Sequence, residues 1–382
     1  MSGGSGRDSD AVFVYSPELA GFELSPDHPF KPARARLAYE MCGERGLLTG
    51  EGVRSDIFSE PEEGLLETFH APEYIALLER AESGREVDIE MLHHGLGTAE
   101  NPIFRGVYTY SRLAATASVR AARAAAAGGS AFNPCGGFHH AHRDRASGFC
   151  YVNDAVIAIL DLRKKGIRVA YVDIDAHHGD GVQEAFYSDP SVLTVSVHES
   201  GRTLFPWGGS EKETGEGDGK GYNINVPLEP ETDDNAFILL FSEIVMDALS
   251  LFKPDVVVGT FGTDTFATDP LTHLKMTNNG YIDAVGMLRS RFPRIAALGG
   301  GGYNMEYTVR GWTLLFAELA GRDISHGYGG ALGGVLLGDP SIIGSDLRDM
   351  HVYTTGKARE RIMERSEQLI RWYREEIRPA LA

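Results

Sequence analysis

The stretch Asp173-Ile-Asp-Ala-His-His-Gly-Asp-Gly181 follows the apolar, strand-like segment Ile167-Arg-Val-Ala-Tyr-Val172. It therefore sits where a buried strand runs out into a loop. Side chains two apart on a strand share a face, so strand geometry carried to its end points Asp175 and His177 to one side. A carboxylate and an imidazole at that spacing can take two positions on one divalent metal. Asp173 and Asp180 are left over as acidic neighbours. The competing reading is a polar strand-to-helix turn whose Asp and His only cap the following helix.

Working outward, apolar β-branched runs alternate with helical stretches. Ala11-Val-Phe-Val-Tyr15, Ser191-Val-Leu-Thr-Val-Ser-Val197, Pro254-Asp-Val-Val-Val-Gly259 and Arg294-Ile-Ala-Ala-Leu298 read as strands. Arg112 to Ala127 is an Ala-rich helix stopped by Gly128-Gly129, and Arg359 to Ile377 is a charged amphipathic terminal helix. Strands spaced by helices predict an α/β fold, a mostly parallel central sheet flanked by helices on both faces. A small polar leader over 1–10 and one domain over 11–382 is the expected organisation, since no linker or repeat divides the rest.

Composition narrows the function classes. Hydrophobic residues make up 42% of 382, and no apolar run is read as approaching the length of a membrane span. The formal charge is 36 − 54 = −18, which argues against nucleic acid, because phosphate contacts need clustered Lys and Arg. It leaves basic protein segments and polyamines open as partners, and self-association open as well. Three cysteines, Cys42, Cys135 and Cys150, cannot all pair and form no Cys-x-x-Cys, which points to a reducing cytoplasm.

In parallel sheets the ligand site lies beyond the carboxyl ends of the strands. Four polar clusters fall there: Cys135-Gly-Gly-Phe-His-His-Ala-His142, the Asp173–Gly181 run, Gly262-Thr-Asp-Thr-Phe-Ala-Thr-Asp-Pro-Leu271, and Gly299-Gly-Gly-Gly-Tyr303. Each alone has an ordinary explanation. Paired histidines are more often surface or core residues, glycine runs make turns, and a lone Asp after Gly often caps a helix. Four such clusters at one end of one sheet are harder to dismiss.

These motifs, with His28-Pro-Phe-Lys-Pro-Ala-Arg-Ala-Arg36, Ala146-Ser-Gly-Phe-Cys-Tyr-Val-Asn153 and Leu204-Phe-Pro206, resemble the zinc-dependent histone deacetylase family of the arginase–deacetylase fold. The resemblance covers most of the chain. Gly95-Leu-Gly-Thr98 and Asp269-Pro-Leu-Thr-His-Leu274 resemble the bacterial, acetoin-utilisation branch in particular. It implies one Zn²⁺ on Asp175, His177 and Asp264, polarising an amide carbonyl and lowering the pKa of a bound water. The same ligand set would accept Fe²⁺ or Co²⁺. It further implies that His140, paired with Asp180, acts as general base and then acid, and that His139, paired with Asp173, supports it. On this reading each buried carboxylate fixes its imidazole's tautomer and raises its pKa. Tyr303 would donate its hydroxyl to the oxyanion. A structural K⁺ would rest on carbonyls around Asp173, Asp175 and His177 with the Ser196 hydroxyl.

The resemblance also implies a substrate tunnel walled by Phe149 and Phe205, with Gly148 and Leu271. Ordinary core packing is the alternative for the aromatics. Glu100 takes a rim position where relatives more often carry Asp, and suits either substrate backbone amides or a free ammonium. Trp207 replaces the small residue expected after Phe-Pro and would narrow or cover the mouth. Arg34 is either the family's basic residue behind the site or part of a salt bridge. Two-manganese arginase relatives need further acids where this chain has Gly179 and Phe266, so one metal is expected. Glu213–Gly221 lacks a phosphate loop's spacing, and no Gly-x-Ser-x-Gly elbow occurs. The leading function is thus removal of acetyl or other short acyl groups from Nε-acyl-lysine of proteins. The alternatives are an acetylpolyamine or small acyl-amide amidohydrolase, favoured less because Gly136-Gly-Phe precedes the histidines, and a non-catalytic acyl-binding module.

Overall fold

Valine, isoleucine and alanine dominate the runs expected as strands, and each of those runs forms one. The computed structural model describes residues 10–85, 87–324 and 347–382; the expected leader falls, but for Asp10, outside them. The strands are Ala11–Tyr15 (β1), Val53–Ile57 (β2), Ser130–Asn133 (β3), Val169–Asp173 (β4), Val192–Glu199 (β5), Asn223–Leu228 (β6), Val256–Thr260 (β7) and Ile295–Leu298 (β8). They make one sheet in the order β2-β1-β3-β8-β7-β4-β5-β6, every pairing parallel.

Every residue of β1, β3, β4, β5, β7 and β8 is buried, as a sheet covered on both faces requires. Helices Val107–Ala126 and Asp154–Arg163 pack on each other and together reach β1, β3, β8, β7 and β4. Ala33–Glu44, Asn278–Arg291 and Met305–Leu319 form a second group, the last of them lying on β1 and β3. The strands that escaped sequence reading are short or at an edge. Edge strand β2 is Val-Arg-Ser-Asp-Ile and only half-buried; β3 has four residues with a polar one at each end. At the other edge, β6 carries Pro227, whose missing N–H an edge strand tolerates.

One expectation about hydropathy needs correcting. Asp234–Phe252 forms a helix of 19 residues with a mean hydropathy of 1.7, long and apolar enough by composition to cross a membrane. Polar Asp247 and Glu243 break the run in the sequence and hide its length. Phe237, Phe241, Val245 and Leu249 on this helix are wholly buried in the core, the usual fate of such a helix in a folded domain.

Candidate active site

The sheet brings the carboxyl ends of β3, β4, β7 and β8 side by side, and the four polar clusters are the loops that leave them. The strand of β4 stops at Asp173, so Asp175 and His177 do not share a face through strand alternation. They converge through turns instead. Asp175 N–H donates to Asp173 Oδ1 at 3.0 Å and His177 N–H donates to Asp175 Oδ1 at 2.9 Å, each carboxylate closing a turn two residues on.

Asp264 enters from the loop after β7, and its Oδ1 accepts from Ala176 N–H at 2.9 Å. His177 Nδ1 then faces Asp264 Oδ2 at 2.9 Å and Asp175 Oδ1 at 3.2 Å. One donor atom from each of the three residues lies within 4.8 Å of the others, and all three side chains are buried. Burial and the Asp175 charge push Asp264 up to about 7. Burial opposes ionisation of Asp175 too, but the imidazoles of His139 and His177 hold it low. Burial also disfavours charge on His177, which the two carboxylates nevertheless raise to about 10. This buried point demands positive charge, and a divalent cation on two carboxylates and an imidazole meets that demand. The positions where a second ion's acids were expected hold Gly179 and Phe266. A Cβ at Gly179 would lie 2.5 Å from Asp173 Oδ2, and Phe266 is packed edge-on against Tyr281.

The tandem histidines follow β3. Asp154, at the start of helix Asp154–Arg163, accepts from Phe138 N–H at 2.7 Å and Gly137 N–H at 3.0 Å. Asn153 Nδ2 donates to Ala141 O at 2.9 Å, fastening the other end of the loop. His139 Nδ1 meets Asp173 Oδ2 at 2.7 Å, and the same oxygen accepts from Tyr171 Oη at 2.6 Å. His140 Nδ1 meets Asp180 Oδ1 at 2.7 Å. The two Nε2 atoms face each other at 3.0 Å.

The surroundings push the two imidazoles in opposite directions. Burial lowers His139, but Asp173 and Asp175 outweigh it and raise the ring to about 9. Burial and the neighbouring His139 charge drive His140 down to about 4 despite Asp180. Each carboxylate raises its own imidazole as expected, but at His140 desolvation and the neighbouring like charge outweigh Asp180.

Tyr303 ends the glycine run after β8. Gly300 and Gly302 have φ of 105° and 132°, a region that favours glycine, and a Cβ at Gly301 would lie 2.0 Å from Asp264 Oδ2. Tyr303 N–H donates to Asp269 Oδ2 at 2.7 Å, and its ring lies 6.4 Å from that of His177. Arg34 is buried between Phe30 and Trp312, donating to Gly300 O at 3.0 Å and to Gly302 O. It is a carbonyl clamp on the turn that presents Tyr303.

Phe149 and Phe205 flank the cluster, 5.9 Å from the Tyr303 ring and 5.1 Å from the His140 ring. A Cβ at Gly148 would lie 2.5 Å from His140 Cδ2, so only glycine fits between these walls. Gly148 and Phe149 line a cavity of about 20 Å³ that also touches Phe30, Phe138, Cys150 and Gly301, whereas Phe205 stands beside His140 and is not part of that lining. Leu271 and Glu100 lie at the surface and do not line it. Trp207 does not cover it either: the indole is 69% exposed and lines an outer groove of about 590 Å³ with Arg202, Arg361 and Arg365. Its φ of 67° lies in the left-handed region. Ser196 is paired in register with Asp173, and its Oγ lies 2.8 Å from His198 Nδ1.

Sequence reading missed Tyr171, Asn153, Asp154 and Asp269, which hold the site residues in place. Asn153 and Asp269 lay inside quoted motifs, and an Asn just before an apolar helix is a recognisable cap signal. Tyr171 sits two residues before Asp173 on an all-buried strand, where nothing in the pattern separates it from core packing.

A family model described as the histone deacetylase domain matches residues 28–319. The chain is 37% identical over 335 residues to acetoin utilization protein AcuC of Bacillus subtilis, covering 83% of this chain and 84% of that one. It is 38% identical over 319 residues to histone deacetylase 8 of Xenopus tropicalis, covering 82% and 85%. The crystal structure of a histone deacetylase homologue from Aquifex aeolicus superposes with a TM-score of 0.84 at 31% identity, over 94% of this chain and all of that one. The fold and these matches define the class as the deacetylase hydrolases built on the arginase–deacetylase fold. The chain belongs to the histone deacetylase family.

Proposed function

We propose that this protein is a single-zinc amide hydrolase that removes acetyl groups from Nε-acyl-lysine side chains of proteins. The observation that carries the reading is the imidazole pair, facing at 3.0 Å with each ring tied to its own carboxylate, beside a buried three-ligand cluster. A zinc ion on Asp175, His177 and Asp264 would supply Lewis acidity to the acyl carbonyl and to the attacking water.

The remaining roles fall to side chains. His140, neutral and fixed by Asp180, takes the water's proton at Nε2 and delivers it to the departing ε-amine as the C–N bond breaks. His139, charged and held by Asp173, stabilises the developing negative charge. Tyr303 Oη donates to the carbonyl oxygen. Phe149 and Phe205 flank the methylene stem. The Ser196 hydroxyl beside Asp173 is the proposed K⁺ contact. Three buried, unbonded thiols support residence in a reducing cytoplasm.

The exposed carboxylate of Glu100 favours a second reading, a polyamine substrate whose free ammonium it would meet. Turnover of an acetyl-lysine peptide beside N-acetylspermidine separates the two. A higher kcat/KM on the peptide is expected, and equal or better turnover of the polyamine reverses the ranking. Failure to hydrolyse either would support the acyl-binding module instead.

A further inference from the structure

Glu199 is a buried acid that the reaction proposed above does not use. It ends β5, and its side chain is wholly shielded from solvent. A carboxyl group so placed is costly unless its oxygens are hydrogen-bonded. Its partners among the described residues come from the two loops that carry Phe205 and Asp269. Glu199 Oε2 accepts from His273 N–H at 2.8 Å, and Oε1 lies 2.8 Å from His273 Nδ1. The same Oε1 lies 2.9 Å from Thr203 Oγ1, whose single proton is shared with Ser200 O at 3.0 Å.

Each loop carries one side of the site. Thr203 lies two residues before Phe205, whose ring stands 5.1 Å from that of His140, and Leu204 N–H donates back to Ser200 O at 3.1 Å. His273 lies in the loop after β7. There Asp269 Oδ2 accepts from Tyr303 N–H at 2.7 Å, and the Thr272 hydroxyl donates to the carbonyl of Asp264. In the sheet β4 separates β5 from β7, so no ladder hydrogen bond joins the strands that feed these two loops. The Glu199 side chain bridges them where the sheet does not. We propose that Glu199 is a positioning residue for the acyl-lysine stem. By tying the Phe205 loop to the loop behind Asp264 and Tyr303, it sets how far that aromatic wall stands from the reacting end, and so which stem length is accepted. The inference rests on the deacylase reading.

The test compares peptides bearing Nε-acetyl-lysine with peptides bearing Nδ-acetyl-ornithine, whose stem is one methylene shorter. Zinc-loaded wild type, E199Q, T203V, T203S and H273A are assayed on both, and the thermal midpoint of each is followed. A fixed apolar wall discriminates one methylene by about 10-fold or more in kcat/KM, so wild type should prefer lysine by that margin. E199Q, T203V and H273A should raise KM for the lysine peptide with kcat little changed, and cut the preference by about threefold or more. T203S keeps the hydroxyl and should behave as wild type. Thr203 and His273 are exposed, so their variants carry the test where E199Q fails to fold. A lowered thermal midpoint with the preference unmoved would make Glu199 purely structural and overturn the proposal. A T203S enzyme as impaired as T203V, or a wild type without preference, would overturn it too. Wild type that hydrolyses neither peptide would instead remove the deacylase reading, and the proposal with it.

Discussion

His139 Nε2 and His140 Nε2 stand 3.0 Å apart, and each ring's Nδ1 is tied at 2.7 Å to a different buried carboxylate. Only one of two facing nitrogens can carry the proton between them. The charges around the pair favour it on His139, which Asp173 and Asp175 raise while burial and His139 lower His140. The side of the pair that can accept a proton is therefore His140.

A bell-shaped pH dependence of kcat/KM follows. Activity is lost as pH falls through the value at which His140 gains its proton, near 4, and as pH rises through the value at which His139 loses its own, near 9. A bound dication adds positive charge and moves both limbs to lower pH. Because burial and, after it, the His139 charge push His140 down, His139→Asn should abolish the basic limb and raise the acid limb. An acid limb that stays put or falls in that variant contradicts the assignment.

Tyr303→Phe should lower kcat by about 10²–10³-fold, the usual effect of removing one oxyanion donor. Zinc content should not change, since the ring meets the His177 ring edge-on and supplies no ligand atom. Metal analysis beside single-turnover kinetics checks both halves. Retained turnover would show that another group stabilises the oxyanion.

Arg34→Met tests the carbonyl clamp. Two buried carbonyls, of Gly300 and Gly302, lose their donor, which costs about 1–3 kcal/mol for each group left unsatisfied. A lower urea midpoint and a reduced kcat are expected together, because the same turn places Tyr303. Loss of stability without loss of kcat would separate the clamp from the site.

Gly301→Ala should weaken zinc binding without unfolding the chain. The added Cβ would sit 2.0 Å from Asp264 Oδ2, so the carboxylate must swing away. Equilibrium dialysis against zinc reads the lost affinity, and a thermal midpoint near wild type shows that the sheet survives.

Much of this was legible before any coordinates. Central strands β4, β7 and β8 announce themselves because burial on both faces demands unbroken apolar runs. Asp264 and Tyr303 stand just beyond the ends of β7 and β8, where the sequence reading had them. Asp175 and His177 were paired for the wrong reason: alternation pointed to them, but two carboxylate-closed turns beyond Asp173 bring them together. Edge strand β2 was lost because Arg54 and Asp56 interrupt its pattern, as a half-exposed edge allows. The lowered pKa of His140 was out of reach as well. It depends on how close a second charged ring lies and how deeply both are buried, and neither is encoded in spacing.

The account stands or falls on zinc. Protein stripped by chelator should bind one Zn²⁺ per chain in a calorimetric titration, hydrolysis of an acetyl-lysine peptide should return in step and level off at one equivalent, and Asp264→Asn should do neither. Hydrolysis that persists in the stripped protein, or uptake of two ions per chain, would contradict it.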